Sequence, residues 1–254
     1  CNTAYGGSRA NTAMHYQVAE DHGYTAIAHV DIMDEDGSMT LPVTDGDNLT
    51  ENYVGAHFAN YDYYIVLSHF KGHECTGFGG ALKNIGMGCG SRAGKMEMHS
   101  SGKPHVDQDL CIGCRKCAQI CAHGAPEFKD NKATINHDKC VGCGRCLGVC
   151  PKDAVCPASD ESNDILNYKI AEYTKAVIDG RPSFHINLVI DVSPFCDCHA
   201  ENDAAIVPDV GFFASFDPVA LDVACADAVN AQPAISNSLL GEAEQDDDHF
   251  HAVS

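Results

Sequence analysis

The chain has 254 residues, of which 44% are hydrophobic and 20% charged, a balance that fits a globular protein of one large domain or two. Sixteen Lys and Arg against thirty-six Asp and Glu give a net charge of −20, which disfavours nucleic-acid binding and adhesion to anionic lipid. No run of eighteen apolar residues offers a membrane span.

Residues 3–8 form a Gly-rich loop that feeds a helix over residues 10–22, ended near Gly23. A loop of this kind usually follows a strand, which would lie at or before Cys1. The first residue is not Met, so an N-terminal truncation is expected, with any targeting segment lost with it. Residues 24–32 are strand-like. Residues 33–48 are an acidic, turn-rich connection, and Thr50 caps an expected helix through residue 60. Residues 63–68 (YYIVLS) are a continuous apolar run of the sort a buried parallel strand shows. A helix is expected to open at Ala81, and residues 86–105 read as Gly-rich and irregular. Later, residues 162–178 form an amphipathic helix with Ile165, Ile170, Tyr173 and Val177 near one face, ended by Gly180. Residues 185–192 are a strand, residues 206–215 hold another, and Asp217 with Pro218 is an N-cap and N1 pair opening a helix to about residue 230. The tail, 241–251, carries five acids and two His and reads as a solvated end.

Between these elements lies a doubled cysteine pattern. Residues 111–121 read CIGCRKCAQIC and residues 140–151 read CVGCGRCLGVCP. Each half is C-x2-C-x2-C-x3-C, and the halves repeat at an offset of 29 residues, with Asp109 matching Asp138, Gly113 matching Gly142, and Ala125 matching Ala154. Zinc usually takes its ligands as two pairs, which would leave the inner cysteines without a role. Residues 127–136 between the halves read as a hairpin turning at Asp130 and Asn131. The doubled pattern resembles a bacterial two-cluster ferredoxin. That resemblance implies one [4Fe–4S] cluster held by Cys111, Cys114, Cys117 and Cys150. It implies a second held by Cys140, Cys143, Cys146 and Cys121, the fourth ligand crossing between the halves. One departure concerns shielding: Cys150 precedes Pro151, but Cys121 precedes Ala122, which bears on redox tuning more than on ligation. Eight of the fifteen cysteines are thus claimed by clusters, which implies a reducing, anaerobic cytoplasm.

Strands alternating with helices argue for an α/β fold: a mostly parallel sheet with helices on both faces, interrupted by a small α+β ferredoxin-like two-cluster insert. The expected organisation is an α/β domain, first part, over 1–104, the insert over 105–157, and the second part of the α/β domain over 158–254. Ligands in open α/β sheets bind at the carboxyl ends of strands. Three loops follow expected strands here: 69–80, 193–199, and the turn into Asp217. The first contains Gly77, Gly79 and Gly80 before a helix, whose free amides suit an anion. From His69 to His105 there are five Lys or Arg (Lys71, Lys83, Arg92, Lys95, Lys103) and two Glu, so the local charge is +3 within a chain of −20. His69, His73, His99 and His105 lie in the same stretch. Gly77, Gly79, Gly80, Lys83 and Asn84 are therefore candidate anion-binding residues, and Lys71, His73, Lys83 and His99 candidate catalytic ones. Cys196 and Cys198, a C-x-C pair before His199, are weaker candidates for a third metal site. The bland alternatives are a solvated loop and a pair of reduced thiols.

The phrases SHFKGH (68–73), GFGGALKN (77–84), GMG (86–88), DVSPFCDC (191–198) and ASFDPVALD (214–222) are similar to domain of unknown function family 362, whose members often carry a ferredoxin insert. The resemblance covers nearly the whole chain. It implies an iron–sulfur protein of anaerobes and supplies no substrate. Three functions follow. The first is single-electron transfer through two [4Fe–4S] clusters to or from a redox partner protein, or an anionic ligand at the sheet edge. The second is an oxidoreductase acting on a small anionic substrate or cofactor at the Lys71, His73 and Lys83 loop. The third is a cluster-assembly carrier or scaffold. A homodimer is compatible with all three.

Overall fold

The computed structural model describes residues 1–254 apart from 5–6, 100–102, 141, 143–145, 147–148, 153, 157–161, 198–203, 244–246 and 254. In chain order the elements are α1 (Thr12–Asp21), β1 (Ser38–Pro42), β2 (Glu51–Gly55), β3 (Tyr64–His69), β4 (Lys71–His73), β5 (Gly77–Gly79), α2 (Ala81–Cys89) and α3 (Arg92–His99). Then come β6 (His105–Val106), α4 (Lys116–Ile120), β7 (Pro126–Lys129), β8 (Lys132–Ile135), β9 (Val155–Cys156) and α5 (Ser162–Ile178). The chain ends with β10 (Ser183–Val189), β11 (Gly211–Ser215), α6 (Pro218–Asn230), α7 (Leu239–Glu242) and α8 (His249–Val253). They form two compact units: Cys1–Asn60 with Gly88–Glu172, and Tyr61–Met87 with Tyr173–Ser254.

The second unit is built on a three-stranded sheet in the order β11–β10–β3. β10 pairs parallel with β3, Phe184 against Ile65 and Ile186 against Leu67, and antiparallel with β11. The mixed α/β character is present. The expectation of a mostly parallel sheet needs correction, because β3 with β10 is the one parallel ladder among the described residues and the other sheets are two-stranded and antiparallel. Alternation decides what β10 buries. His185, Asn187 and Val189 point to the covered face, where α6 lies. On the other face Ile65, Leu67 and Phe212 are 68%, 62% and 71% exposed, so helices on both faces are not what these residues show. The core of this unit joins Phe70, Ala81, Val189, Val192, Ile206, Leu221, Cys225 and Val229. Phe250, in the tail expected to be solvated, closes it: α8 buries Phe250 and Val253, and the Phe250 ring sits 5.8 Å from Phe70 and 5.7 Å from Phe78.

Asp217 caps α6 as its sequence position suggests, accepting from the amides of Val219 and Ala220, with Pro218 at the start of the helix. α5 spans the expected residues 162–178, with Ile170, Tyr173 and Val177 buried.

In the first unit three expectations fail in whole or in part. Residues 24–32 form a short 3-10 turn (Tyr24–Ala26) and extended chain, not a strand. Tyr24 is 60% and Ile27 82% exposed, so strand-forming side chains here find no sheet to join. Residues 51–55 form β2, and only the second half of the expected helix turns helically, as a short 3-10 helix (Ala56–Asn60). The acidic connection supplies its partner, β1, and Asn52 and Val54 are buried in alternation on the hairpin. Residues 92–99, expected to be irregular, form α3. Its N-terminus is held by the buried carboxylate of Asp34, which accepts from the Arg92 amide at 3.1 Å and from the Asn2 amide at 2.8 Å.

Candidate functional site

The cysteine repeat is a structural repeat. In the first half the Asp107 side chain accepts from the Asp109 amide, and the Cys111 amide donates to the Asp107 carbonyl. In the second half Asn136, one repeat on, accepts from the Asp138 amide, and the Cys140 amide donates to its carbonyl. The halves also exchange partners. Asp107 N–H donates to the Ala154 carbonyl at 2.7 Å, and Asn136 N–H to the Ala125 carbonyl at 2.8 Å. Strand register repeats too: Val106 faces Val155 as Ile135 faces Pro126, and His105 faces Cys156 as Thr134 faces Glu127. The hairpin of β7 and β8 turns at Asp130 and Asn131, both with positive φ, the turn the sequence suggests.

This framework gathers the first set of thiols. Cys111, Cys114, Cys117 and Cys150 line one cavity with Ile112, Phe128, Ala133, Ala154 and Val155, and its void, including the part open to solvent, measures about 340 Å³. Gly113 carries the loop through φ +68, and a Cβ there would lie 2.1 Å from the Asn131 carbonyl, so only glycine fits between the cysteine loop and the hairpin turn. The Ala133 amide donates to Cys111 Sγ at 3.4 Å. Lys132 Nζ ties the same loop down through the carbonyls of Cys111 (2.6 Å) and Gln108 (2.7 Å). The Arg115 guanidinium lies 4.5 Å from the Phe128 ring centre. Burial pushes the Cys117 thiol up, opposed by a hydrogen bond from the Ala118 amide and reinforced by the sulfurs of Cys114, Cys111 and Cys150.

Of the second set, burial likewise raises the Cys140 thiol. The Gly142 amide, 3.4 Å from Cys140 Sγ, opposes the shift, and Cys121 is close enough to add to it. Cys146 packs half-buried against the cluster of Cys111, Cys117 and Val155, and Cys143 lies outside the described residues. Among the described residues no group of three or more His, Cys, Asp or Glu is placed to hold a single metal ion.

The second unit gathers most of the other candidates. β4, β5 and the first turn of α2 bring together Lys71, His73, Gly77, Gly79, Gly80 and Lys83. Lys71 and His73 are 7% and 8% exposed. The amides opening α2 already have an anion. Asp222, on α6 and 1% exposed, accepts from Ala81 N–H at 2.8 Å, from Leu82 N–H at 2.9 Å and from Asn187 Nδ2 at 2.7 Å. Burial raises the Asp222 carboxyl above the usual range, against those three hydrogen bonds. Gly80 lets that carboxylate in, since a Cβ there would meet Asp222 Oδ1 at 2.3 Å. Asn84 braces the adjacent turn, donating to the Leu67 carbonyl and to Ser68 Oγ. Composition alone does not single out Asp222; the signal for it is a lone acid on an otherwise apolar stretch of helix.

His73 Nδ1 accepts from the Cys75 amide at 3.0 Å, so the neutral ring carries its proton on Nε2, and the ring hydrogen-bonds to Cys196. Burial first and then the Lys83 charge push His73 down. Burial pushes the Cys75 thiol up to about 11. His69 is engaged on both nitrogens, by Asp197 at 2.9 Å and the Ile190 carbonyl at 2.8 Å, and that carboxylate raises its pKa. His99 belongs to the first unit, at the end of α3. Cys198 and His199 lie outside the described residues. Cys225 is core, hydrogen-bonded to Asn187.

Residues 2–227 match the family described as domain of unknown function (DUF362). The protein belongs to this family. The DUF362 match takes in every cysteine of the repeat and the whole Lys71–Lys83 segment. The sequence is also 41% identical over 74 residues to the B subunit of the anaerobic dimethyl sulfoxide reductase of Escherichia coli K12, covering 28% of this protein and 30% of that one. The Shigella flexneri protein of the same name matches equally. YnfG of Escherichia coli K12, a probable anaerobic dimethyl sulfoxide reductase subunit, is 42% identical over 40 residues, 16% of this protein and 20% of YnfG. The match thus spans less than a third of the length of these curated relatives. No solved structure matches at a comparable level. No helix among the described residues is long and apolar enough to cross a membrane.

Proposed function

We propose that this DUF362 protein is an iron–sulfur electron-transfer protein. In this reading Cys111, Cys114, Cys117 and Cys150 hold one [4Fe–4S] cluster, and Cys140, Cys143, Cys146 and Cys121 hold a second. The observation that carries the reading is the cavity lined by Cys111, Cys114, Cys117 and Cys150. Three of its thiols come from one loop and the fourth from the far half of the repeat. The donor set fits the group. All four donors are soft thiols, they surround an apolar void instead of meeting at a single-ion point, and backbone amides are aimed at sulfur. The proximity of Cys121 to Cys140 supports the same exchange at the second centre.

When bound, such clusters supply single-electron transfer at potentials set by their hydrogen bonds and exposure. The protein's own contribution is ligation, exclusion of water by Ile112, Phe128, Ala133, Ala154 and Val155, and stabilisation of sulfur charge by the Ala133 and Gly142 amides. We place the cluster-binding insert at residues 105–157 and its setting in a reducing cytoplasm. A protein redox partner is part of the proposal, since the relatives that share the matched stretch are named as subunits of a reductase.

Anaerobic iron and sulfide analysis tests this directly. About eight of each per protein are expected, with two interacting S = 1/2 centres by EPR after reduction. Cys121→Ser should damage the centre of Cys140, Cys143 and Cys146 and spare the other. Preparations that reproducibly hold one cluster or none, or loss of the Cys111, Cys114 and Cys117 centre in Cys121→Ser, would overturn the assignment.

A further inference from the structure

The second unit contains a cationic site that cluster binding does not use. Lys71 lies in β4, 7% exposed, and has no hydrogen-bonding or oppositely charged partner among the described residues. A lysine withdrawn from water loses hydration that none of the described residues returns here. Two of the described acids of this unit are placed elsewhere. Asp222 is committed to the start of α2, and Asp197 to His69. Glu74 lies 3.8 Å from His73 Nδ1.

Lys71 is not isolated from other positive charge. Both Lys71 and Lys83 pass over Gly79. A Cβ built on Gly79 would stand 3.2 Å from Lys71 Nζ and 3.1 Å from Lys83 Cδ. Glycine at this position therefore leaves room for two lysines over one stretch of backbone. Two lysine side chains running over one glycine concentrate positive charge there, which the negative group of a ligand would offset. Cys75, on the adjoining loop, is kept a thiol by burial and does not supply that charge.

We propose that Lys71 and Lys83 together bind a small molecule through a carboxylate or phosphate group, held above Gly79. This goes beyond the electron-transfer reading and does not depend on it. Because Asp222 occupies the helix amides, the ligand is recognised by the two side-chain cations and not by the N-terminus of α2. His73 serves as a positioning residue: its Nδ1 is fixed by the Cys75 amide, and its hydrogen bond to Cys196 holds the loop that carries Cys75 beside the lysines.

Anaerobic isothermal titration of the cluster-loaded protein tests the proposal, with inorganic phosphate and malonate as the two probes. Binding of at least one of them at sub-millimolar concentration is expected, and which one binds identifies the group. Lys71→Met and Lys83→Met should each weaken binding by about tenfold to a hundredfold, the scale for losing one partner of a charge-assisted contact. Iron content should be unchanged in both. Lys71→Arg should keep binding within a few-fold, which guards against the case in which Lys71→Met fails to fold. Lys129→Met, on the hairpin of the other unit, should match wild type. Failure of both probes to bind wild type at millimolar concentration, or equal affinities in wild type and Lys71→Met, would overturn the site while leaving the cluster assignment intact.

Discussion

Asp222 and Gly80 are a pair whose coupling is calculable. Asp222→Ala removes the acceptor for three donors, the amides of Ala81 and Leu82 and Asn187 Nδ2, at a residue 1% exposed. Hydrogen bonds to a charged group contribute about 1.5–3 kcal/mol each, but they share one carboxylate and are not additive, and burying that carboxylate offsets part of the gain. A loss of about 3–5 kcal/mol is expected for Asp222→Ala. Gly80→Ala in the wild type drives a methyl to 2.3 Å from Asp222 Oδ1 and 2.8 Å from Phe70 Cδ2, a clash worth about 2–3 kcal/mol. In the Asp222→Ala background the first clash disappears and the second remains. The double mutant should therefore be more stable than the sum of the singles predicts, by about 1–2 kcal/mol. Urea unfolding under anaerobic conditions measures the cycle, and amide exchange at Ala81 and Leu82 reports the cap itself. A pH series adds a sign. Burial raises the Asp222 carboxyl, so the folded protein takes up this proton before the unfolded one as pH falls. The resulting stability is present below the ordinary carboxylate range and is lost as pH rises through the raised value, and Asp222→Ala should lack it. Strictly additive singles, or unchanged exchange at Ala81 and Leu82 in Asp222→Ala, would refute the reasoning.

Gly113→Ala should cost the first cluster: the new methyl meets the Asn131 carbonyl and the backbone sits at φ +68, so iron per protein should fall by about half. Gly124→Ala, at φ +61 with open space around it, should cost only about 1–2 kcal/mol of backbone strain and keep the iron. In the first unit, hydrogen bonds donated by the His57 ring to the carboxylates of Asp36 and Asp31 raise His57 to about 9, so its proton NMR midpoint should lie near that value. The stability this pair contributes is fully present below the ordinary histidine range and fades as pH rises through about 9. Asp36→Asn should pull the midpoint down.

Much of the site is legible in the sequence because its information is local. The C-x2-C-x2-C-x3-C runs, the Asp130–Asn131 turn and the Asp217–Pro218 cap each need only a few adjacent residues; the turn and the cap have the geometry their residues favour, and Cys111, Cys114 and Cys117 of the first run line one cavity. What fails depends on distant partners. Residues 24–32 have strand-forming side chains, but a strand needs a neighbour, and none of the described ladders offers one there. Residues 51–55 carry helix-compatible neighbours, yet β1 arrives from a segment that composition marks as a loop. The acidic tail hides Phe250 and Val253, two side chains that complete the core of the second unit. The Gly-rich loop before α2 looks open to an external anion because no local signal reveals that Asp222 fills it from 141 residues away.

The 29-residue repeat also shows where the halves stop being equivalent, and this makes a last prediction. The Ala133 amide donates to Cys111 Sγ, and the position one repeat earlier is Pro104, which has no N–H to give. Pro104 stands directly before β6, and β6 and β8 share one register, since Val106 and Ile135 hold equivalent places in their ladders. Cys140 therefore lacks the donor that Cys111 has, and among the described residues the Gly142 amide is the one that reaches its sulfur. Amides pointed at a ligand sulfur stabilise the more negative, reduced state and raise the potential. Pro104→Ala should supply the missing donor and shift the centre ligated by Cys140 upward, leaving the Cys111 centre where it is. The carbonyl of residue 104, which accepts from His137 Nε2 at 2.9 Å, is kept by the substitution and holds the strand in place. An EPR-monitored redox titration of wild type and variant resolves the two centres. A shift confined to the Cys111 centre, or none in either, would mean that the repeat in backbone register does not extend to the environment of the sulfurs.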